Sequence, residues 1–347
     1  MSHTIPEQRP LDMVACEELM RGGSKSFFAA SGLLPERIRT AAIALYAFCR
    51  VADDAIDLHG DDPQAMQNLL DRLENVYAGR PDNIIEDRAL AMVVRAHKLP
   101  RELPDALLEG FAWDATGRGY ETIEELHDYC ARVAGSVGAM MALIMGVKDA
   151  QVMARACELG NAMQLTNIAR DVGEDARNGR LYLPRAWMRE AGINPDAWLA
   201  NPVFTPALAS VIGRVLLEAD RLYKQASTGV AALPRDCRSA ILAASMIYAE
   251  IGQVVAKNCM NSIDERAVVS KARKLTLLCL AKTRAQLPGR CDLETPPLPA
   301  IQFLLNACNN TPLRANNTAV PADRNFDERV EGMIDLFERL SVPRKRI

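Results

Sequence analysis

Aspartates recur at Asp53, Asp54 and Asp57 in Val51-Ala-Asp-Asp-Ala-Ile-Asp57. A second acidic stretch, Asn167-Ile-Ala-Arg-Asp-Val-Gly-Glu-Asp175, holds Asn167, Asp171, Glu174 and Asp175. Both stretches are otherwise apolar and helix-patterned, where an uncompensated buried carboxylate costs several kcal/mol. Something cationic must neutralise them. Residues four apart on a helix differ by only ~40° in direction, so Asp53 and Asp57 share one face, and Asn167, Asp171 and Asp175 share another. Opposed across a bundle, the two faces would make a cage of hard oxygen ligands. That chemistry suits Mg²⁺, which takes a carboxylate or two, water and the oxygens of a substrate phosphate. Glu174, three positions after Asp171, reaches the same face as an outer or water-bridged ligand. Either cluster alone also reads as a solvated helix face; the pair together, each inside an apolar stretch, weighs against that.

Arginines follow the carboxylates: Arg50 three residues before Asp53, Arg170 beside Asp171, and Arg177, Arg180 and Arg185 beyond the second cluster. Guanidinium forks match phosphate oxygens, so metal and arginine together suit a diphosphate. Surface ion pairing is the plain alternative for each arginine except Arg50, which sits within an apolar helix. Ser24 and Lys25, after Gly22-Gly23, suit either a helix cap or a phosphate contact. In Val133–Val147 the small residues Ala134, Gly135, Gly138, Ala139, Ala142 and Gly146 recur every three or four positions. This face allows close helix packing or leaves room for a long apolar ligand.

The elements that must position these groups are helical. Apolar periodicity near 3.6 runs from about Leu11 to Gln286, alternating strand patterns are nearly absent, and aromatic content is 5%, so the expected fold class is all-α. Gly and Pro punctuation divides this span into roughly eight to ten helices. After Pro288 the chain turns proline-rich and polar. Residues 288–347 therefore read as a tail, partly ordered at best, with an amphipathic stretch at 327–340 and a basic end at Arg344-Lys-Arg346. Residues 1–14 read as an N-terminal extension.

Composition narrows the function. With 49% apolar residues, 24% charged residues and a net charge of −3, the 347-residue chain has ample core and lacks the basic excess of a nucleic-acid binder. Nine scattered cysteines, never in Cys-x-x-Cys spacing, indicate neither a disulfide framework nor a zinc site. No secretory signal opens the chain, and Val133–Val147 is shorter than the ~20 residues of a spanning helix. A cytoplasmic protein is expected, touching the inner membrane peripherally. No Gly-x-Gly-x-x-Gly opens a helix, so NADPH is not expected.

Several longer motifs, in order, carry a resemblance over residues 15–285. They are Ser24-Lys-Ser-Phe27, Leu45-Tyr-Ala-Phe-Cys-Arg-Val-Ala-Asp-Asp-Ala-Ile-Asp57, Tyr129-Cys-Ala-Arg-Val-Ala-Gly-Ser-Val-Gly138, Leu159 through Asp175, Gly179-Arg-Leu-Tyr-Leu-Pro184, Leu233-Pro234 and Tyr248-Ala-Glu-Ile-Gly252. The chain resembles the head-to-head prenyl synthases of the squalene/phytoene synthase family, and in wording its bacterial phytoene synthases. The resemblance implies a single-domain isoprenoid-synthase helical bundle over 15–287 with a central apolar channel. By motif match, Asp53, Asp57, Asn167, Asp171 and Asp175 resemble the family's metal ligands, with Mg²⁺ as cofactor and Mn²⁺ an acceptable substitute. Ser24, Lys25, Phe27, Arg50, Tyr129, Gln164, Arg170, Tyr248 and Arg266 match positions lining its diphosphate and hydrocarbon sites.

The implied reaction joins two geranylgeranyl diphosphates. Loss of one diphosphate leaves an allylic cation, and the second molecule's double bond attacks it. Proton loss closes the cyclopropane of prephytoene diphosphate; a second ionisation, rearrangement and deprotonation give phytoene. Water must be kept out, which is a reason for a deep apolar bundle. Tyr129, Tyr248 and released diphosphate are the candidates to steer charge or accept a proton. Squalene, dehydrosqualene or presqualene diphosphate synthesis from farnesyl diphosphate is the alternative. Head-to-tail elongation or terpene cyclisation is a more distant rival.

Overall fold

The computed structural model describes residues 8–59, 63–287 and 293–309. Among these the chain forms fifteen α-helices, a π turn and two 3₁₀ turns, with no strand. The helices are more numerous and shorter than Gly and Pro punctuation predicts, because several loops expected between helices carry a helix of their own, such as Arg185–Glu190 and Pro195–Ala200. Asn194 caps the latter, accepting from the amides of Asp196 and Ala197, with Pro195 in the first turn. Such short helices hold a single turn each and leave little periodicity to read.

Two long helices carry the acidic motifs. The first-motif helix is Glu36–His59 and the second-motif helix is Ala150–Arg177. Asp149 caps the second, accepting from the amides of Gln151 and Val152. The helix then runs 28 residues through a central position, packing on Pro206–Ser227, Arg235–Lys257 and Ser136–Ile144. Sixteen of its residues are buried, and Asn167, Asp171 and Asp175 are among those that are only partly so.

The small-residue stripe settles into the first of its two readings. A Cβ at Gly138 would overlap the Ala156 carbonyl, one at Gly160 would overlap the Ala134 carbonyl, and one at Gly135 would sit 2.8 Å from Asn161 Oδ1. The glycines therefore let the Ala131–Ile144 segment press directly on the second-motif helix. The segment opens with the π turn Ala131–Gly135, two residues after Tyr129, and Val133–Val147 is largely buried as a core segment. Among the described residues one helix, Arg235–Lys257, is long and apolar enough to cross a membrane, but half of its apolar window is buried inside the bundle.

Within the stretch expected as an N-terminal extension, residues 8–14 belong to the helix Gln8–Gly23, and Asp12 pairs with Arg88 at 2.6 Å. Beyond Pro288, residues 293–309 lie against the bundle, with Ile301, Leu304, Leu305 and Cys308 buried. The buried pair Arg155–Glu158, 2.6 Å apart, holds this stretch: Glu158 accepts from the amide of Leu298, and Arg155 donates to the Thr295 carbonyl. The amphipathic stretch at 327–340 and the basic end lie outside the described residues. All eight described cysteines are free.

Candidate active site

The first-motif helix is neutralised largely from within. Arg50 bonds Asp54 through both Nε, at 3.0 Å, and Nη2, and reaches Asp53 at 3.4 Å. Asp57, one turn on, pairs with Arg180 at 2.8 Å. Asp53 is left poorly compensated. Burial first, then the Asp57 charge, push its carboxyl up to about 6 despite Arg50.

The second-motif helix adds a partner from elsewhere to its own arginine. Asp171 accepts from Arg170 at 2.7 and 2.5 Å and from Arg266 at 2.7 and 3.1 Å. Burial raises its carboxyl, but the two arginines outweigh that and hold it below the ordinary aspartate value. Gly173 explains how Arg266 arrives. Its amide donates to the Ser262 carbonyl at 3.0 Å, and a Cβ there would come within 2.6 Å of the Ile263 carbonyl. Only glycine lets the loop carrying Arg266 approach so closely. Arg177 donates to the same Ile263 carbonyl at 3.3 Å. Among the described residues no arginine forms an ion pair with the Asp175 carboxylate; burial and the charges of Asp171 and Glu174 push it up to about 8, with Arg180 opposing the rise.

The motifs meet through a turn and a third helix that sequence reading did not place in the site. Gly179, at φ +75°, turns the chain sharply after the second-motif helix. Arg180 thereby reaches Asp57, and Tyr182 donates to Asp114 Oδ1 at 2.7 Å. Tyr129 donates to the other oxygen, Oδ2, at 2.8 Å. Asp114 lies on the helix Glu102–Ala115, and burial lifts it to about 6 although both phenols and Arg180 pull it down. Its charge is felt by Asp53 and Asp175 alike, and Asp57 acts on it in turn. Asp57, Asp114 and Asp175 thus lie close to Arg180. A recess of about 170 Å³ lies against Asp175 and Arg180, with Ile168, Val172 and Leu181 among its walls. Another surface recess, between Val147, Met153 and Leu305, has none of these carboxylates in its lining.

The remaining expected residues cluster on the other side of Asp171. Ser24 caps the helix Lys25–Ser31, accepting from the Phe27 amide at 3.3 Å. Phe27 packs against Tyr248 and Tyr46, with ring centroids 5.2 and 6.1 Å apart. Tyr248 is buried, which raises its phenol, while Arg170 and Ser24 nearby oppose the rise. Lys25 is exposed. It and Arg170, together with burial, hold Lys274 below the usual lysine value. Lys274 and Asp114 belong to none of the motifs read from the sequence; Tyr46, Arg180 and Tyr182 lie in or beside those motifs, but nothing in the sequence assigns them these contacts. Asp114 is a single acid between Trp113 and Ala115, with no spacing pattern to mark it. Arg185 instead forms a surface pair with Asp196 at 2.7 Å, the plain alternative weighed for it.

The oxygen cage expected from the sequence is not assembled. Among the described residues no three His, Cys, Asp or Glu side chains stand together as a metal-holding group; arginines separate and neutralise them. The donor set nevertheless fits a divalent cation. Asn167 Oδ1 is buried without a hydrogen-bond partner, while its amide nitrogen points to Gln164 Oε1 at 3.5 Å. A buried acceptor without a donor is costly unless something positive faces it. Asp53 and Asp175, both raised first by burial and then by neighbouring carboxylates, point the same way.

A family model described as squalene/phytoene synthase matches residues 20–273. The chain belongs to the squalene/phytoene synthase family. It is 52% identical over 310 residues to the phytoene synthase of Cereibacter sphaeroides, covering 85% of this chain and 87% of that one. Against the 15-cis-phytoene synthase of a Paracoccus species it is 42% identical over 284 residues, covering 78% and 92%. Among solved structures, a dehydrosqualene synthase in complex with ligand superposes with a TM-score of 0.74 at 33% identity, covering 80% of this chain and 98% of that one. The all-α isoprenoid-synthase fold and a prenyltransferase activity follow from membership, as does general dependence of the family on a divalent metal.

Proposed function

We propose that this chain is a phytoene synthase, condensing two geranylgeranyl diphosphates head to head through prephytoene diphosphate to phytoene with release of diphosphate. The observation that carries the reading is the intact pair of acidic motifs in a chain about half identical to curated phytoene synthases. Asp53, Asp57, Asn167, Asp171 and Asp175 would hold Mg²⁺, with Mn²⁺ as substitute. When bound, the metal supplies Lewis-acid neutralisation of the departing diphosphate.

The chain's own residues do the rest. Arg50, Arg170 and Arg266, now bonded to carboxylates, offer the planar forks that diphosphate oxygens need. Lys25, Lys274 and Ser24 extend the polar rim, and Gln164 orients Asn167. Phe27, Tyr46 and Tyr248 give an aromatic wall whose ring faces are negative, a surface that favours a passing carbocation. Tyr129 and Tyr248 each present a phenol from a buried position, and burial keeps both rings protonated as charge develops. The surrounding apolar helices exclude the water that would quench either cation.

An apolar product with no polar group favours a cytoplasmic protein that touches the inner membrane peripherally to deliver it. Incubation of the purified enzyme with the fifteen- and twenty-carbon diphosphates, with and without NADPH, followed by mass analysis of the lipid extract, tests the reading. Phytoene from the twenty-carbon substrate alone is expected. A thirty-carbon product from farnesyl diphosphate in preference would overturn it in favour of the squalene or dehydrosqualene alternative.

A further inference from the structure

Asp114 is a partly buried carboxylate with both oxygens occupied by phenols, one from Tyr129 at 2.8 Å and one from Tyr182 at 2.7 Å. The two rings stack with centroids 5.2 Å apart, and Tyr120 packs on both. The three elements involved are otherwise independent: the helix Glu102–Ala115, the helix Ile123–Cys130, and the turn after Gly179. A phenol has one proton. Where that proton is donated to a carboxylate, the phenol oxygen can offer only lone pairs to anything else that approaches it.

We infer that Asp114 is a positioning residue for the proposed condensation: it draws the protons of Tyr129 and Tyr182 away from the reaction path, so that Tyr129 meets the carbocations with lone pairs alone. A phenol held this way stabilises positive charge and cannot protonate a double bond of substrate or product. The inference rests on the phytoene synthase reading and extends it to a residue outside both acidic motifs. Asp114 also lies beside Arg180, which pairs with Asp57, so the phenols are registered against the first motif as well as against each other.

Asp114→Asn tests this. The amide keeps one acceptor oxygen but turns a donor toward the second phenol, whose proton must then point elsewhere. Expected is a fall in kcat of about 10- to 100-fold, the range typical when a partner that orients a functional group is lost. KM should stay within about twofold, as for an interaction made only in the transition state. The product mix should shift toward prephytoene diphosphate and alcohols, and Asp114→Glu, which restores a carboxylate, should recover part of the lost kcat. Tyr129→Phe, which keeps the ring stack and removes the phenol whose lone pairs the inference invokes, should shift the products in the same direction, and it carries the test if the Asn variant does not fold. Unchanged kcat and products in a folded Asn variant, or in Tyr129→Phe alone, would overturn the inference while leaving the wild-type reaction in place. If wild type makes no phytoene, the underlying reading has failed instead.

Discussion

The two acidic motifs carry similar ligand chemistry but balance their charge by different routes. On the first-motif helix, Asp53 and Asp54 are 39% and 40% exposed and share Arg50, three and four residues earlier on the same helix. On the second, Asp171 is only 15% exposed and takes half of its compensation from Arg266, 95 residues away in sequence. A surface-type pair within one helix is worth little and exchanges readily. A largely buried carboxylate held by two guanidinium groups is harder to free, since removing one partner exposes the other to the full cost of burial. The first motif is therefore built to open easily, and the second to keep Asp171 ionised until something replaces its arginines.

The largest effect expected is from deleting a ligand on either side. Asp53→Ala and Asp171→Ala should each lower turnover by at least about 1,000-fold, the upper range for removing one preorganised electrostatic group, with the helical circular dichroism unchanged. Normal activity in either folded variant would break the equivalence of the two motifs. Chelation should act on both together: turnover stops in EDTA and returns with added Mg²⁺, and rates indifferent to EDTA would end the metal assignment.

The next contrast sharpens the difference in ion pairing. Arg266→Gln should cost more turnover than Lys25→Gln, by about tenfold, since a charge-assisted bond to a mostly buried carboxylate is worth roughly 1.5–3 kcal/mol. Steady-state rates at saturating Mg²⁺ decide it; equal losses would mean that Arg266 acts only as another rim cation.

The smallest effect concerns protons. Asp175 is raised to about 8 and Asp53 to about 6 in the metal-free protein, so a divalent cation must displace a proton from Asp175 below pH 8. Apparent metal affinity should fall as pH drops from 8 to 7. Asp175→Asn should flatten that dependence and Asp53→Asn should not, by calorimetric titration in buffers of different ionisation enthalpy. The same shift acts on stability. A folded-state pKa raised above the unfolded 3.8 means that the native state binds more protons between the two values, so stability of the metal-free protein declines as pH rises through that window to about 8. Asp175→Asn should then raise the melting temperature at pH 8.5 by roughly 2–4 °C, as a change near 1 kcal/mol does in domains of 150–250 residues. No change would show that Asp175 is better compensated than its surroundings imply.

Much of this site was legible in the chain because the reactive positions are periodic. Asp53 and Asp57, and Asn167, Asp171 and Asp175, recur every four residues, and an apolar background made each stripe conspicuous. Tyr129, Tyr248, Gln164 and Arg266 came by motif resemblance rather than periodicity. Asp114 escaped both, being one acid on a helix that is otherwise apolar where it meets the core, and its role depends on two tyrosines 15 and 68 residues away. Arg177, Arg180 and Arg185 looked alike in sequence. Only the left-handed turn at Gly179 sends Arg180 inward while Arg185 finds a surface aspartate. The glycine stripe at 135–146 was ambiguous for a related reason, since small residues permit either a close helix or an open channel.

Local periodicity, capping residues and composition determined that the chain is helical, which faces carry oxygen ligands, and that those faces need a cation. Such properties depend on neighbours within a turn or two of helix, and the order of residues is enough to set them. Which arginine answers which carboxylate, and that Asp114 gathers two phenols between the motifs, was decided by tertiary packing alone. Those contacts join residues tens of positions apart, and their energies depend on burial and direction that no short window of sequence contains.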